Sequence, residues 1–147
     1  MKAVVKSIAV VGALFLGQSA MAQADRQVQF SELPKNAQSF VKQHFANQNI
    51  ASTWYDADPS DQDYKVHFDN GDEIEFFTNG EWEEVKSRNG KVPNAIIPNG
   101  IANYVKQNYT STEIYKIQKK RYGYEVELSN GMDLEFNQKG EFLRIDN

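Results

Sequence analysis

Few side chains in this sequence could carry out chemistry, and their spacing limits what kind. There are two histidines, His44 and His67, and no cysteine. Nucleophilic catalysis needs a Ser, Cys or Thr activated by an adjacent base, and neither histidine lies in a nucleophile motif. A histidine-based zinc site would need more nitrogen or sulfur ligands than the chain offers. The run Asp56-Ala-Asp58-Pro-Ser-Asp61-Gln-Asp63 brings four carboxylates close together, as the opening of a calcium loop does. It lacks the glycine of the sharp turn, and its twelfth position is His67 where a bidentate glutamate would be needed. Asp56, Asp58, Asp61 and Asp63 therefore stand as a candidate calcium site beside the plainer reading of a solvated acidic loop. Paired carboxylates further on raise the question of a glycosidase. They fall on a sheet face, with nothing that would push one carboxyl's pKa above its neighbour's. The chain reads as non-enzymatic and free of cofactors.

The elements that must position these groups follow from an internal repeat. Pro34 to Ile50 matches Pro98 to Ile114 at an offset of 64, with Phe40-Val-Lys-Gln-His-Phe45 against Tyr104-Val-Lys-Gln-Asn-Tyr109. Tyr64 to Val85 matches Tyr124 to Ile145 at an offset of 60, so the first copy carries four extra residues near Asp58–Asp61. Each copy opens with a helix. Ala37, Phe40, Val41, His44 and Phe45 share one face of a 3.6-residue period, as do Ile101, Ala102, Val105 and Tyr109. Pro34 sits near the first turn, where a missing N–H costs nothing. A strand follows each helix, around Ile50–Tyr55 and Ile114–Lys119.

Two hairpins then follow in each copy, and their register can be derived. Tyr64, Val66 and Phe68 alternate with Lys65, His67 and Asp69. Ile74 and Phe76 alternate with Glu73, Glu75 and Phe77. A two-residue Asn-Gly loop would set Val66 opposite Glu75 and mix the faces. A three-residue loop with Gly71 left-handed sets Val66 opposite Ile74 and Tyr64 opposite Phe76, so one apolar face survives. The next turn pairs Phe76 with Trp82, and the second copy repeats the scheme: Val126 with Leu134, Tyr124 with Phe136, Phe136 with Phe142.

On the outward face this register sets Lys65 against Glu75 and His67 against Glu73. In the second copy it sets Glu125 against Glu135 and Glu127 against Asp133, like charges directly opposite, which destabilises a sheet. Two readings stand. Either Lys116, with Lys119, Lys120 and Arg121 nearby, compensates, or the face meets a basic partner. Phe77 points outward beside Glu75. Glu125, Glu127, Asp133, Glu135 and Phe77 are the candidate partner-binding residues.

Bulk properties narrow the class. Lys2 and Lys6 precede an apolar run from Ile8 to Leu16, and Ala20-Met21-Ala22 is a small-x-small site, so residues 1–22 read as an export signal with cleavage before Gln23. The run is too short to span a membrane, which takes about 20 residues. Removing it leaves 20 acidic against 14 basic residues, a formal charge of −6. Such a balance argues against nucleic acid, which demands clustered Lys and Arg. Without cysteine, no disulfide braces the exported chain.

Leu33-Pro34, Phe40-Val41, His44-Phe45, the stretch Tyr64–Phe76 with Asn70-Gly71, and Gly80-Glu-Trp82 together resemble the PepSY-like, beta-lactamase-inhibitor-like family of exported bacterial proteins. The resemblance spans nearly the whole chain after the signal, once per copy. The second copy departs mildly, with Ile97-Pro98 for Leu-Pro and Phe142 for the tryptophan. It implies periplasmic or secreted proteins of tandem helix-plus-four-strand units, related to an inhibitor that binds its target on the open face of its sheet. It carries over no catalytic residue.

The expectation is thus an α+β chain: a signal at 1–22, a first repeat at 23–89 and a second at 90–147, forming one curved sheet with both helices on one face. The expected role is a periplasmic protein-binding module, inhibitor-like, with a protein partner, no nucleic acid and no membrane insertion after cleavage. The alternative is a small-ligand or calcium-binding protein.

Overall fold

The computed structural model describes residues 25–146; the expected export signal lies outside them. Two helices, α1 (Lys35–His44) and α2 (Asn99–Asn108), each start directly after a proline, Pro34 or Pro98, with φ near −50° (−51° and −53°). A 3-10 turn that the sequence reading lacked precedes each of them, at Phe30–Glu32 and Asn94–Ile96. Nine strands make one antiparallel sheet in which every strand pairs with its neighbours in sequence. They are β1 (Arg26–Gln27), β2 (Ile50–Asp56), β3 (Asp63–Phe68), β4 (Glu73–Phe77), β5 (Trp82–Lys86), β6 (Ile114–Lys120), β7 (Gly123–Leu128), β8 (Asp133–Asn137) and β9 (Phe142–Asp146). The element order after β1 is one 3-10 turn, one helix and four strands, twice over.

The hairpin register agrees with the derived one. Val66 lies opposite Ile74 and Tyr64 opposite Phe76. Phe76 lies opposite Trp82, and β7 and β8 pair Val126 with Leu134 and Tyr124 with Phe136. Gly71, with φ 88°, takes the left-handed conformation that the three-residue turn requires. The four extra residues fall where β2 and β3 are joined by residues 57–62, whereas β6 and β7 are joined by 121–122 alone.

One apolar face results. Val66, Ile74, Phe76, Val85, Ile117, Val126, Leu134 and Phe136 are fully buried and share one cluster with Ala37 and Val41 of α1 and Ile101 and Val105 of α2. Phe40 meets Phe76 edge-on at 5.7 Å and stacks on Trp82 at 6.3 Å. Tyr104 does the same with Phe136 at 5.5 Å and Phe142 at 4.5 Å. The halves join where β5 pairs with β6, Val85 opposite Ile117. There Lys119 lies over the Trp82 ring, 4.4 Å from its centroid, a cation–π contact.

Because the cluster is continuous, damage in one half should reach the other. Both tryptophans, Trp54 and Trp82, lie in the first half. Phe136→Ala, in the second half, removes a fully buried ring and should cost about 3–5 kcal/mol. Tryptophan-detected denaturant unfolding should move to a correspondingly lower midpoint; an unmoved midpoint would show two independently folding halves.

Candidate functional site

The sheet face opposite the apolar one carries the side chains with chemistry. Period-two alternation sends Asp63, Lys65 and His67 of β3 there, with Glu73, Glu75 and Phe77 of β4. Glu84 and Lys86 of β5 follow, then Lys116, Gln118 and Lys120 of β6. Glu125 and Glu127 of β7 and Asp133 and Glu135 of β8 complete it, flanked by Arg144 and Asp146 of β9. Carboxyl groups outnumber cations on it.

The second-half patch is brought together as expected, Glu125 opposite Glu135 and Glu127 opposite Asp133. Its like charges are partly compensated. Lys116 Nζ lies 3.8 Å from both Glu125 Oε1 and Glu127 Oε2, and Lys120 Nζ is 3.9 Å from Glu125 Oε2. Glu135, 4% exposed, is held by Arg144, whose Nη2 donates to Oε1 at 3.0 Å and lies 2.8 Å from Oε2. Sequence reasoning missed Arg144. The signal was available: keeping Ile145 opposite Leu134 needs one extra residue between Phe142 and Ile145, and that bulge swings Arg144 opposite Glu135. Tyr122, also missed, sits in the β6–β7 turn. Desolvation first and the Glu135 carboxylate second hold its hydroxyl pKa well above the usual phenol range. Asp133 remains against Asp146, and its buried Oδ1 has no hydrogen-bond partner.

The first half organises its face around Lys65. Its Nζ is 3.3 Å from Glu75 Oε1 and 3.9 Å from both Asp56 Oδ2 and Asp63 Oδ2. Burial pulls the Lys65 pKa down, but Glu75, Asp63 and Asp56 outweigh it, and the net shift is upward. His67 Nδ1 meets Glu73 Oε2 at 3.1 Å. His44, half-buried, packs its ring 4.7 Å from that of Phe40. Phe77 is half-buried opposite Asp63.

Of the four acidic-loop residues, the register brings two together, Asp56 opposite Asp63, with Lys65 near both. Asp58 is engaged within its own turn, where its Oδ1 accepts from Ser60 N at 2.9 Å and Ser60 Oγ at 2.7 Å, and these bonds lower its pKa. Asp56 Oδ1 accepts from Asp58 N at 2.9 Å. Carboxylate oxygens converge more tightly elsewhere. One oxygen each of Glu73, Glu75 and Glu84 lie within 4.8 Å of one another, and so do those of Glu125, Glu135 and Asp146. The Glu84 pKa is raised, by burial first and then by Glu75 opposite it.

Two helices and an antiparallel nine-stranded sheet with one apolar and one ionisable face define an α+β fold among the described residues. The chain belongs to the PepSY-like family described as "Putative beta-lactamase-inhibitor-like", whose profile matches residues 62–144. Among solved structures it is similar to a "putative calcium-regulated periplasmic protein" of Bacteroides thetaiotaomicron. That likeness has 40% identity and TM-score 0.80, and covers 84% of this chain and 97% of that one. A "putative periplasmic protein" of Bacteroides vulgatus is 38% identical with TM-score 0.79, covering 86% and 99%. Another from the same organism, described as of unknown function, is 33% identical with TM-score 0.80, covering 84% and 100%. No protein of curated description matches.

Asp63 is the group under most electrostatic stress. It is 3% exposed, and its Oδ1 has no hydrogen-bond partner. Burial lifts its pKa to about 7, with Glu75, Asp56 and Asp61 adding to the rise and Lys65 opposing it. A folded-state pKa above the unfolded value means stability present at low pH and lost as pH rises from about 4 through 7. Asp63→Asn escapes that loss. Its stability should match the wild type near pH 4 and exceed it by about 1–3 kcal/mol at pH 8, measured by thermal unfolding across pH; a gap independent of pH would remove the burial account.

Proposed function

We propose that this chain is a periplasmic, non-catalytic binding protein, a tandem repeat that covers one sheet face with both helices and presents the other to a protein partner bearing Lys or Arg. The observation that carries this reading is the excess of carboxylates on the open face. In the second-half patch the neutralising lysines, Lys116 and Lys120, stand at 3.8–3.9 Å, too long for charge-assisted hydrogen bonds, which run at about 2.7–2.9 Å. A partner's guanidinium could take Glu125 or Glu127 at bonding distance. The periplasmic relatives support the compartment, as does the N-terminal export signal read from the sequence. No helix among the described residues is long and apolar enough to cross a membrane. The family description supports an inhibitor-like mode.

The test is capture from the source organism's periplasmic extract, with the chain from Gln23 as bait. The control is a variant reversing Glu125, Glu127 and Asp133 to Lys, which leaves the buried Glu135–Arg144 pair intact. A specific partner should be bound at least about tenfold more weakly by the variant and by the wild type at high salt. Equal affinity would remove the open face as the site.

A second reading has its own support: the relative described as calcium-regulated and the convergence of Glu73, Glu75 and Glu84. Three carboxylates offer up to six oxygens, the lower end of calcium coordination. Calcium at about five times its Kd would add about 1 kcal/mol to stability. Thermal unfolding should then shift upward in millimolar calcium, and Glu84→Gln should abolish the shift; no shift in the wild type would end the calcium reading at this trio.

A further inference from the structure

The segments around the two helices follow one pattern at an offset of 64, and the preceding 3-10 turns, Phe30–Glu32 and Asn94–Ile96, keep the same offset. Of the positions at which the copies differ, two bear on the space beside the helix. Gln38 in α1 corresponds to Ala102 in α2, and Phe30 corresponds to Asn94. In the first half Gln38 is 7% exposed. Its Nε2 donates to the carbonyls of Leu33 at 2.7 Å and Ser31 at 3.1 Å, closing the turn onto the helix. Phe30 packs against the core.

In the second half neither plug exists. Ala102 has no donor for the carbonyls of Ile97 and Ala95, which correspond to Leu33 and Ser31. Asn94 is exposed and supplies no ring. A cavity of about 460 Å³ opens there, lined by Asn94, Ile97, Ala102, Asn103, Lys106 and Tyr109 among others. Small-molecule sites occupy about 300–1,000 Å³. The cavity lies against α2, on the helix side of the sheet, so it is distinct from the open face.

We infer that this cavity binds a small neutral aromatic carboxamide. The first half states the chemistry that fits: an amide N–H₂ donating to the carbonyl of Leu33, whose counterpart Ile97 lines the cavity, and an aromatic ring at the position of Asn94, which lines it too. Lys91 and Lys106 border the cavity with Glu113 as the one acid, a balance that disfavours an ammonium in the role of the donor. Asn103 and Thr112 offer partners for the ligand's own carbonyl.

The probe is N-acetylphenylalaninamide, titrated into the ¹⁵N-labelled chain from Gln23. Saturable shifts of the Ile97, Ala102, Asn103 and Lys106 amides are expected, with the first half unmoved. The corresponding methyl ester, which loses the N–H₂ donor, should bind about tenfold more weakly, the worth of about one hydrogen bond. The double variant Asn94→Phe, Ala102→Gln installs the first half's plug. It should abolish the shifts while keeping or raising the melting temperature, and Ala102→Gln alone serves if the double variant folds poorly. Absence of saturation in the wild type, equal binding of amide and ester, or undiminished binding in the filled variant would each overturn the proposal.

Discussion

Register is the constraint on which the rest of the structure depends. Side chains alternate across a strand with a period of two, so a slip of one residue would exchange the buried and open faces along a hairpin. The bulged turns prevent it. Gly80 shows how tightly one of them is built in: at φ 83°, a Cβ there would meet Pro34 Cβ at 2.6 Å and would collide with the Asn36 side chain. Asn36 Nδ2 instead donates to Asn79 O at 3.0 Å, tying the start of α1 to the turn. In the second half Gly100 and Gly140 make the same approach backbone to backbone, and a Cβ on Gly100 would lie 2.8 Å from Gly140 O. The glycines therefore set the turn and seat the helix together.

A further polar tie fastens the start of the linker to the first half. Asp72, 4% exposed, accepts from Arg88 N at 2.9 Å through Oδ1, and from Gln48 Nε2 at 2.9 Å and Asn70 Nδ2 at 3.1 Å through Oδ2. It gathers the end of the first helix loop, the first hairpin turn and the start of the linker. Its counterpart in the second half is Met132. The difference between the halves is thus local and physical: the first carries the polar fasteners, the second carries the hollow.

Much of this was legible from residue types. Alternation in Tyr64–Phe68 and Ile74–Phe76, with Asn70-Gly71 between, sufficed for register and face; the helices followed from their 3.6-residue periods. What escaped depends on geometry at single residues. Strand β1 is two residues long, Arg26–Gln27, and such a strand has no period to read. Arg144 reached Glu135 through a bulge visible when the apolar face is followed past Phe142. The burial of Asp63 came from the sheet around it, which no local pattern records. The acidic loop looked like a cation site because its spacing did; in the fold, Asp58 caps its own turn and Lys65 stands between Asp56 and Asp63.

The sheet is open, and its two ends are unequal. One margin is closed off by a strand of two residues, the other by β9, five residues with a neighbour on one side only among the described strands. Along β9 Leu143 and Ile145 are 49% and 42% exposed, interleaved with Arg144 and Asp146. A bare margin of this kind invites a second chain to add itself strand to strand, and charged side chains are what keep such additions in check. The arginine that steadies Glu135 is thus also one of the two charged side chains that β9 sets along this rim.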